Sequence, residues 1–135
     1  MGDFMARLRE RVSGRPVIGV SLQNRKETMD RKTLARYEIR AQIVKAMAHP
    51  ARLLIVDELA KNGERCVCEL TEMVGTDMST VSRHLAQLKQ AGLVADEKRG
   101  KLVFYRLRVK CVLNFFDCIE SVVKCNAQDQ QELLA

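Results

Sequence analysis

One segment limits the fold more than any other: residues 77–107, DMSTVSRHLAQLKQAGLVADEKRGKLVFYRL, where the apolar period changes from helical to alternating. Val81, Leu85 and Leu88 recur at three and four, so one stripe of a helix is buried. Asp77 is a good N-cap for that helix and Gly92 ends it. Its opposite face is polar: Ser79, Thr80, Ser82, Arg83, His84 and Gln87. After Gly92 the period becomes two, and LVADEK and KLVFYRL read as short strands joined at Arg99-Gly100. The hairpin tip is charged.

The helices upstream fit the same architecture. Leu34, Tyr37, Ala41, Val44 and Met47 form a helical stripe from about Lys32 to His49. Pro50 disfavours helix at His49 and suits the first turn of a second helix. That helix turns Leu53, Val56 and Leu59 inward and stops at Asn62-Gly63. A short helix follows from about Cys68 to Met73, broken at Gly75. Downstream of the hairpin, Val109 to about Lys124 forms a long helix with a broad apolar face: Val112, Phe115, Phe116, Ile119, Val122 and Val123. Apolar residues make up 47% of the chain and aromatics 4%, which suits helices built from Leu, Val and Ala.

The expected domain plan is a basic, mobile N-terminal arm over 1–31, a folded domain over 32–125 and a frayed polar tail over 126–135. Within the arm, RPVIGVSL has the look of a short strand. The fold class is mainly α with a small β-hairpin, a winged helix-turn-helix. The helix after Gly75 would enter a major groove and the hairpin would be the wing, with Lys98, Arg99 and Lys101 near phosphates. A formal net charge of +6 favours a polyanionic partner. Arg83 has the reach for guanine or for a phosphate. No nucleophile-base pair or phosphate loop suggests an enzyme. No apolar run approaches membrane-spanning length and no secretory h-region is seen, so a cytoplasmic location is expected.

The stretch Glu64-Arg65-Cys66-Val67-Cys68-Glu69-Leu70 carries a second chemistry. In a reducing compartment the five cysteines should be free thiols or metal ligands. Positions i and i+2 of a regular helix point about 200° apart. Cys66 and Cys68 therefore act together only if the backbone there is extended or the first turn opens. Arg65 and the helix terminus favour thiolate, and the charges of Glu64, Arg65 and Glu69 argue against full burial. Thiolates select soft ions such as As(III), Sb(III), Cd(II) and Pb(II). A redox pair is the alternative. Cys111, Cys118 and Cys125 lie seven apart, about 10.5 Å per step, so no two share an ion within one helix. His49 and His84 read as structural rather than as metal ligands.

The words AHPARLLIVDEL, CVCEL, STVSRHLAQLKQAGLV and RGKLVFYRL, from about Thr33 to about Val123, resemble the ArsR/SmtB family of metal-responsive bacterial repressors. The resemblance implies a homodimer, joined through its first and last helices. Its fold runs helix, helix, helix, helix, strand, strand, helix. It further implies binding to double-stranded operator DNA and release when an inducer ion binds. As(III) is the first expectation, Cd(II) or Pb(II) the next, with Cys66 and Cys68 as ligands and no organic cofactor. Arsenite sensors of the family often carry a third cysteine where this chain has Thr71. The positions of the family's zinc site are here Val109, Cys111, Val122 and Cys125, so Cys111 and Cys125 are the additional ligands to consider. Met78 and Asp77 depart from the glutamine and serine common in the family.

Overall fold

The computed structural model describes residues 29–135. The expected basic arm, up to residue 28, and the short strand within it lie outside the described residues. The elements are α1 (Arg31–Met47), α2 (Pro50–Asn62), β1 (Arg65–Cys66), α3 (Val67–Val74), α4 (Met78–Gln90), β2 (Val94–Arg99), β3 (Leu102–Leu107) and α5 (Val112–Leu134). Residues Arg31–Phe116 form one compact unit, and Asp117–Ala135 belong to a second. This is a winged helix-turn-helix, mainly helical, with a small antiparallel sheet.

The capping signals operate as their chemistry dictates. His49 is extended and its Nδ1 accepts the Ala51 N–H at 3.1 Å, which caps α2 with Pro50 in the first turn. Gly75 closes α3 in the left-handed region at φ 73° and ψ 30°, which turns the chain into α4. The core sits where α2, α3 and α4 meet. Ile55, Val56, Leu59, Leu70, Val81, Leu85 and Leu88 are all at most 1% exposed, and Val94 of β2 seals one end. Each such side chain contributes about 1.5–3 kcal/mol relative to exposure. Met47 and Val112 bring the adjoining ends of α1 and α5 to the same core.

Two departures from the sequence reading concern extent. The first is β1, a strand of two residues. It pairs antiparallel with β3, Arg65 opposite Tyr105 and Cys66 opposite Phe104, so the sheet has three strands in the order β1-β3-β2. The second is the last helix. It begins at Val112 rather than Val109, because residues around Lys110 and Cys111 form a turn. It then continues to Leu134, where a frayed tail was expected from 126. That stretch, NAQDQQELLA, holds no Gly or Pro and is rich in Ala, Gln, Glu and Leu, all strong helix formers.

Apolar side chains remain on the surface of both units. Leu34, Tyr37, Ile39 and Val44 of α1 are exposed, as are Phe115, Ile119, Val122 and Val123 of α5. Among the described residues no helix is long and apolar enough to cross a membrane.

Candidate nucleic-acid interface and thiol site

The polar face of α4 is organised around its N-cap. The Asp77 carboxylate accepts the Thr80 N–H at 2.9 Å, the Thr80 hydroxyl at 2.6 Å and the Ser79 hydroxyl. The Ser79 bond first, and the Thr80 bonds next, hold its carboxyl far below the usual carboxylate range. Arg83 Nη2 donates to Thr80 Oγ1 at 3.3 Å. Ser79 and Thr80 thus spend their protons on the cap and present lone pairs outward, while Ser82, Arg83 and Gln87 are exposed.

His84 is half-buried between α4 and α2. Arg52 Nη1 lies 3.4 Å from its Nδ1, and its ring centroid is 4.5 Å from that of His49. Arginine only donates, so this contact is a hydrogen bond in the tautomer that leaves Nδ1 of His84 bare and the proton on Nε2. Burial first, then the neighbouring His49, Arg52 and Arg83, lowers its pKa. A cleft of about 450 Å³ opens here, lined among others by His49, Thr80, Arg83, His84 and Gln87.

The wing is β2 and β3, joined by Gly100 and Lys101. Lys98 and Lys101 are exposed and form no ion pair among the described residues. Arg99 differs from the expectation that grouped it with them. Its guanidinium donates to Glu64 at 2.5 and 3.1 Å and to Glu97 at 2.7 Å. It also lies 4.8 Å over the Phe104 ring. Two carboxylates within reach, neither weighed in the sequence, explain the difference. On the other side of the hairpin Lys89 of α4 pairs with Asp96 of β2 at 2.8 Å. That bond raises the Lys89 pKa and lowers that of Asp96.

Cys66 occupies the N-cap of α3 with φ −76° and ψ 159°. This is extended backbone, so Cys66 lies outside the helix while Cys68 lies in its first turn. The two Cα atoms are 5.3 Å apart and the sulfurs are joined in a disulfide. The sequence reading expected five free thiols or ligands. The extended cap instead brings this pair to bonding distance without any opening of the turn. Cys111, Cys118 and Cys125 are free and exposed.

Cys66 is also 5% exposed, against the expectation drawn from its charged neighbours. Cys66 is buried where β1 runs into α3, beside β3, while Arg65, half-buried, pairs with Glu58 of α2 at 3.0 Å. A reciprocal capping box closes the site. The Glu69 N–H donates to Cys66 Sγ at 3.3 Å, and the Cys66 N–H donates to Glu69 Oε2 at 2.8 Å. The spacing of Cys66 and Glu69 matches the Ser-x-x-Glu box with sulfur for oxygen, which is the local signal for it. Thr71 donates its hydroxyl to the Val67 carbonyl at 2.7 Å and is a helix-surface residue. Among the described residues no group of three His, Cys, Asp or Glu converges as a metal cage.

Comparison with known proteins places this geometry. Residues 49–96, the span from the α2 cap to β2, match the family described as bacterial regulatory protein, arsR family. An HTH-type transcriptional regulator of Methanocaldococcus jannaschii is 39% identical over 87 residues, 62% of this chain and 98% of that protein. The arsenical resistance operon repressor of Escherichia coli is 36% identical over 93 residues, 69% of this chain and 80% of that protein. A homodimeric winged helix-turn-helix DNA-binding domain from Mycobacterium bovis, solved by NMR, superposes with a TM-score of 0.63. It is 29% identical and covers 76% of this chain and 94% of its own. With the fold, the capped α4 and relatives matched over 80% and 98% of their length, the chain belongs to the arsR family of transcriptional regulators.

Proposed function

We propose that the chain is a homodimeric repressor that binds operator DNA and releases it when a thiophilic ion binds Cys66 and Cys68. The observation that carries this is the extended N-cap at Cys66. It points two sulfurs to one place at the entrance of the helix-turn-helix. Once reduced, the pair supplies two soft donors next to the positive end of α3. As(III) is the first ion, in keeping with the arsenical resistance repressor of Escherichia coli, and Cd(II) or Pb(II) the next. With Thr71 engaged on α3, the third donor is another group: Cys111 and Cys125, both free and exposed, are the sulfurs to test, beside water or a small thiol.

In this reading Ser82, Arg83 and Gln87 face bases or phosphates. Ser79 and Thr80 contribute acceptor lone pairs, His84 an Nε2–H, and Lys98 and Lys101 phosphate contacts. The exposed apolar residues of α1 and α5 would join two protomers, as the Mycobacterium bovis domain is a homodimer.

The disulfide favours a second reading, a thiol redox regulator using the same pair. There two thiols lose two electrons and two protons to an oxidant such as hydrogen peroxide, which leaves as two waters. One experiment separates the readings. Operator release is measured by fluorescence anisotropy with arsenite on the reduced protein, and with peroxide alone. The Cys66→Ser/Cys68→Ser variant should bind DNA as the parent does and lose release by at least tenfold. Release by arsenite that survives in this variant sinks the ion reading, and release by peroxide alone selects the redox one.

A further inference from the structure

The sheet connects the thiol pair to the wing through side chains as well as backbone. Glu64 directly precedes β1, two residues before Cys66. Its carboxylate takes both Nη atoms of Arg99, at the far end of β2, at 2.5 and 3.1 Å. The guanidinium sits over Phe104, and Phe104 is the residue of β3 that pairs with Cys66. Arg99 is therefore held above the register partner of one sensor cysteine by a carboxylate from the sensor's own strand segment.

That position decides what Arg99 can do. A guanidinium fork engaged by a carboxylate is not free to take a phosphate, because both anions use the same parallel N–H pair. β1 is only two residues long and Glu64 lies directly before it, so one short segment carries both the Cys66 sulfur and the Glu64 carboxylate. In the structure the sulfurs are joined and the Glu64 contact is made, both at once.

We infer that Glu64 is a latch: with the sulfurs drawn together it withholds Arg99 from the DNA backbone, and separating them releases the Glu64 side of the fork, so that Arg99, still held by Glu97 at Nη2, turns Nη1 to a phosphate. The inference rests on the chain being a thiol-controlled DNA-binding protein, and it names the residue that carries the control to the wing. Lys98 and Lys101 then supply the constant part of the wing's attraction and Arg99 the switched part. The partners are solvent-exposed, so the latch acts over about two- to fivefold in affinity and not over decades.

The test uses full-length protein, reduced and with the Cys66–Cys68 disulfide confirmed by mass spectrometry, on a duplex selected by the reduced parent from a random pool. Arg99→Gln should weaken binding by about two- to fivefold in the reduced protein and lower its salt slope by about 0.9. It should change neither in the disulfide form. Glu64→Gln should tighten binding of the disulfide form by the same factor, and only while Arg99 is present. Arg99→Gln acting equally in both forms overturns the inference, as does a Glu64→Gln gain that persists with Gln at 99. A parent that binds equally in both forms overturns the thiol-controlled reading. A gain from Glu64→Gln that requires Arg99 would still establish the latch as a contact competing with DNA.

Discussion

Asp77 gathers the first turn of α4 around one carboxylate, and its ionised form is what the turn needs. Asp77→Ala should lower Tm by about 5 °C, read by circular dichroism. Because the folded pKa is depressed, the stabilisation is present above the ordinary carboxylate range. It is lost as pH falls below about 4. Urea midpoints between about pH 4 and pH 2 should therefore drop more for the parent than for Asp77→Asn, which keeps a cap but does not titrate. The cap was legible because Asp before a helical stripe is a local signal. The burial of Cys66 was not. It depends on a pairing with β3, which lies far off in sequence. Arg65, Glu64 and Glu69 looked like a solvated setting, yet all three spend their charge on the protein, Arg65 on Glu58, Glu64 on Arg99 and Glu69 on the Cys66 N–H. The pairings of Arg65 and Glu64 are non-local, so spacing carries no trace of them.

At the scale of elements the hairpin was readable almost to the residue. Arg99 pairs with Leu102 across a turn of Gly100 and Lys101, and Gly100 has φ +62°. Positive φ at the first turn position only is the II′ pattern, which matches the right-handed twist of the strands. Gly100→Ala should therefore cost about 1–2 kcal/mol in wing stability, since a side chain in that region is strained. A Cβ there meets nothing within 4 Å, so the cost is backbone alone. The check is chemical denaturation, together with operator affinity, which should fall with the wing. An unchanged denaturation midpoint would show that the turn tolerates a side chain. The helix boundaries were less legible. Alternation and stripes mark where an element must be, but α5 outruns its apolar face to Leu134 on propensity alone.

At the scale of the whole molecule, the stripe read on α1 is helical as expected, yet only Met47 of it is buried. Tyr37 and Val44, like Val122 and Val123 of α5, stay more than half exposed or nearly so, at 54%, 50%, 59% and 54%. Apolar stripes state that a face is covered without stating by what, so the stripe on α1 reads alike for core and for subunit contact, and the expectation of an interface there comes from the family resemblance. With Tyr37→Glu or Val122→Glu the protein should sediment as a folded monomer and bind DNA at least tenfold more weakly. A dimer unchanged by both substitutions would remove these faces from the interface.

The capping box at Cys66 has a consequence for descent. Serine is a stronger N-cap than most residues and fits the same Glu69 reciprocity. Replacement of Cys66 by serine therefore leaves α3 capped and the domain folded, while the sulfur chemistry is gone. In the proposed function, loss of this thiol alone would give a folded regulator without its response, not a broken protein. Folding alone would be content with oxygen at this cap, so in the proposed function the sulfur is there for its chemistry.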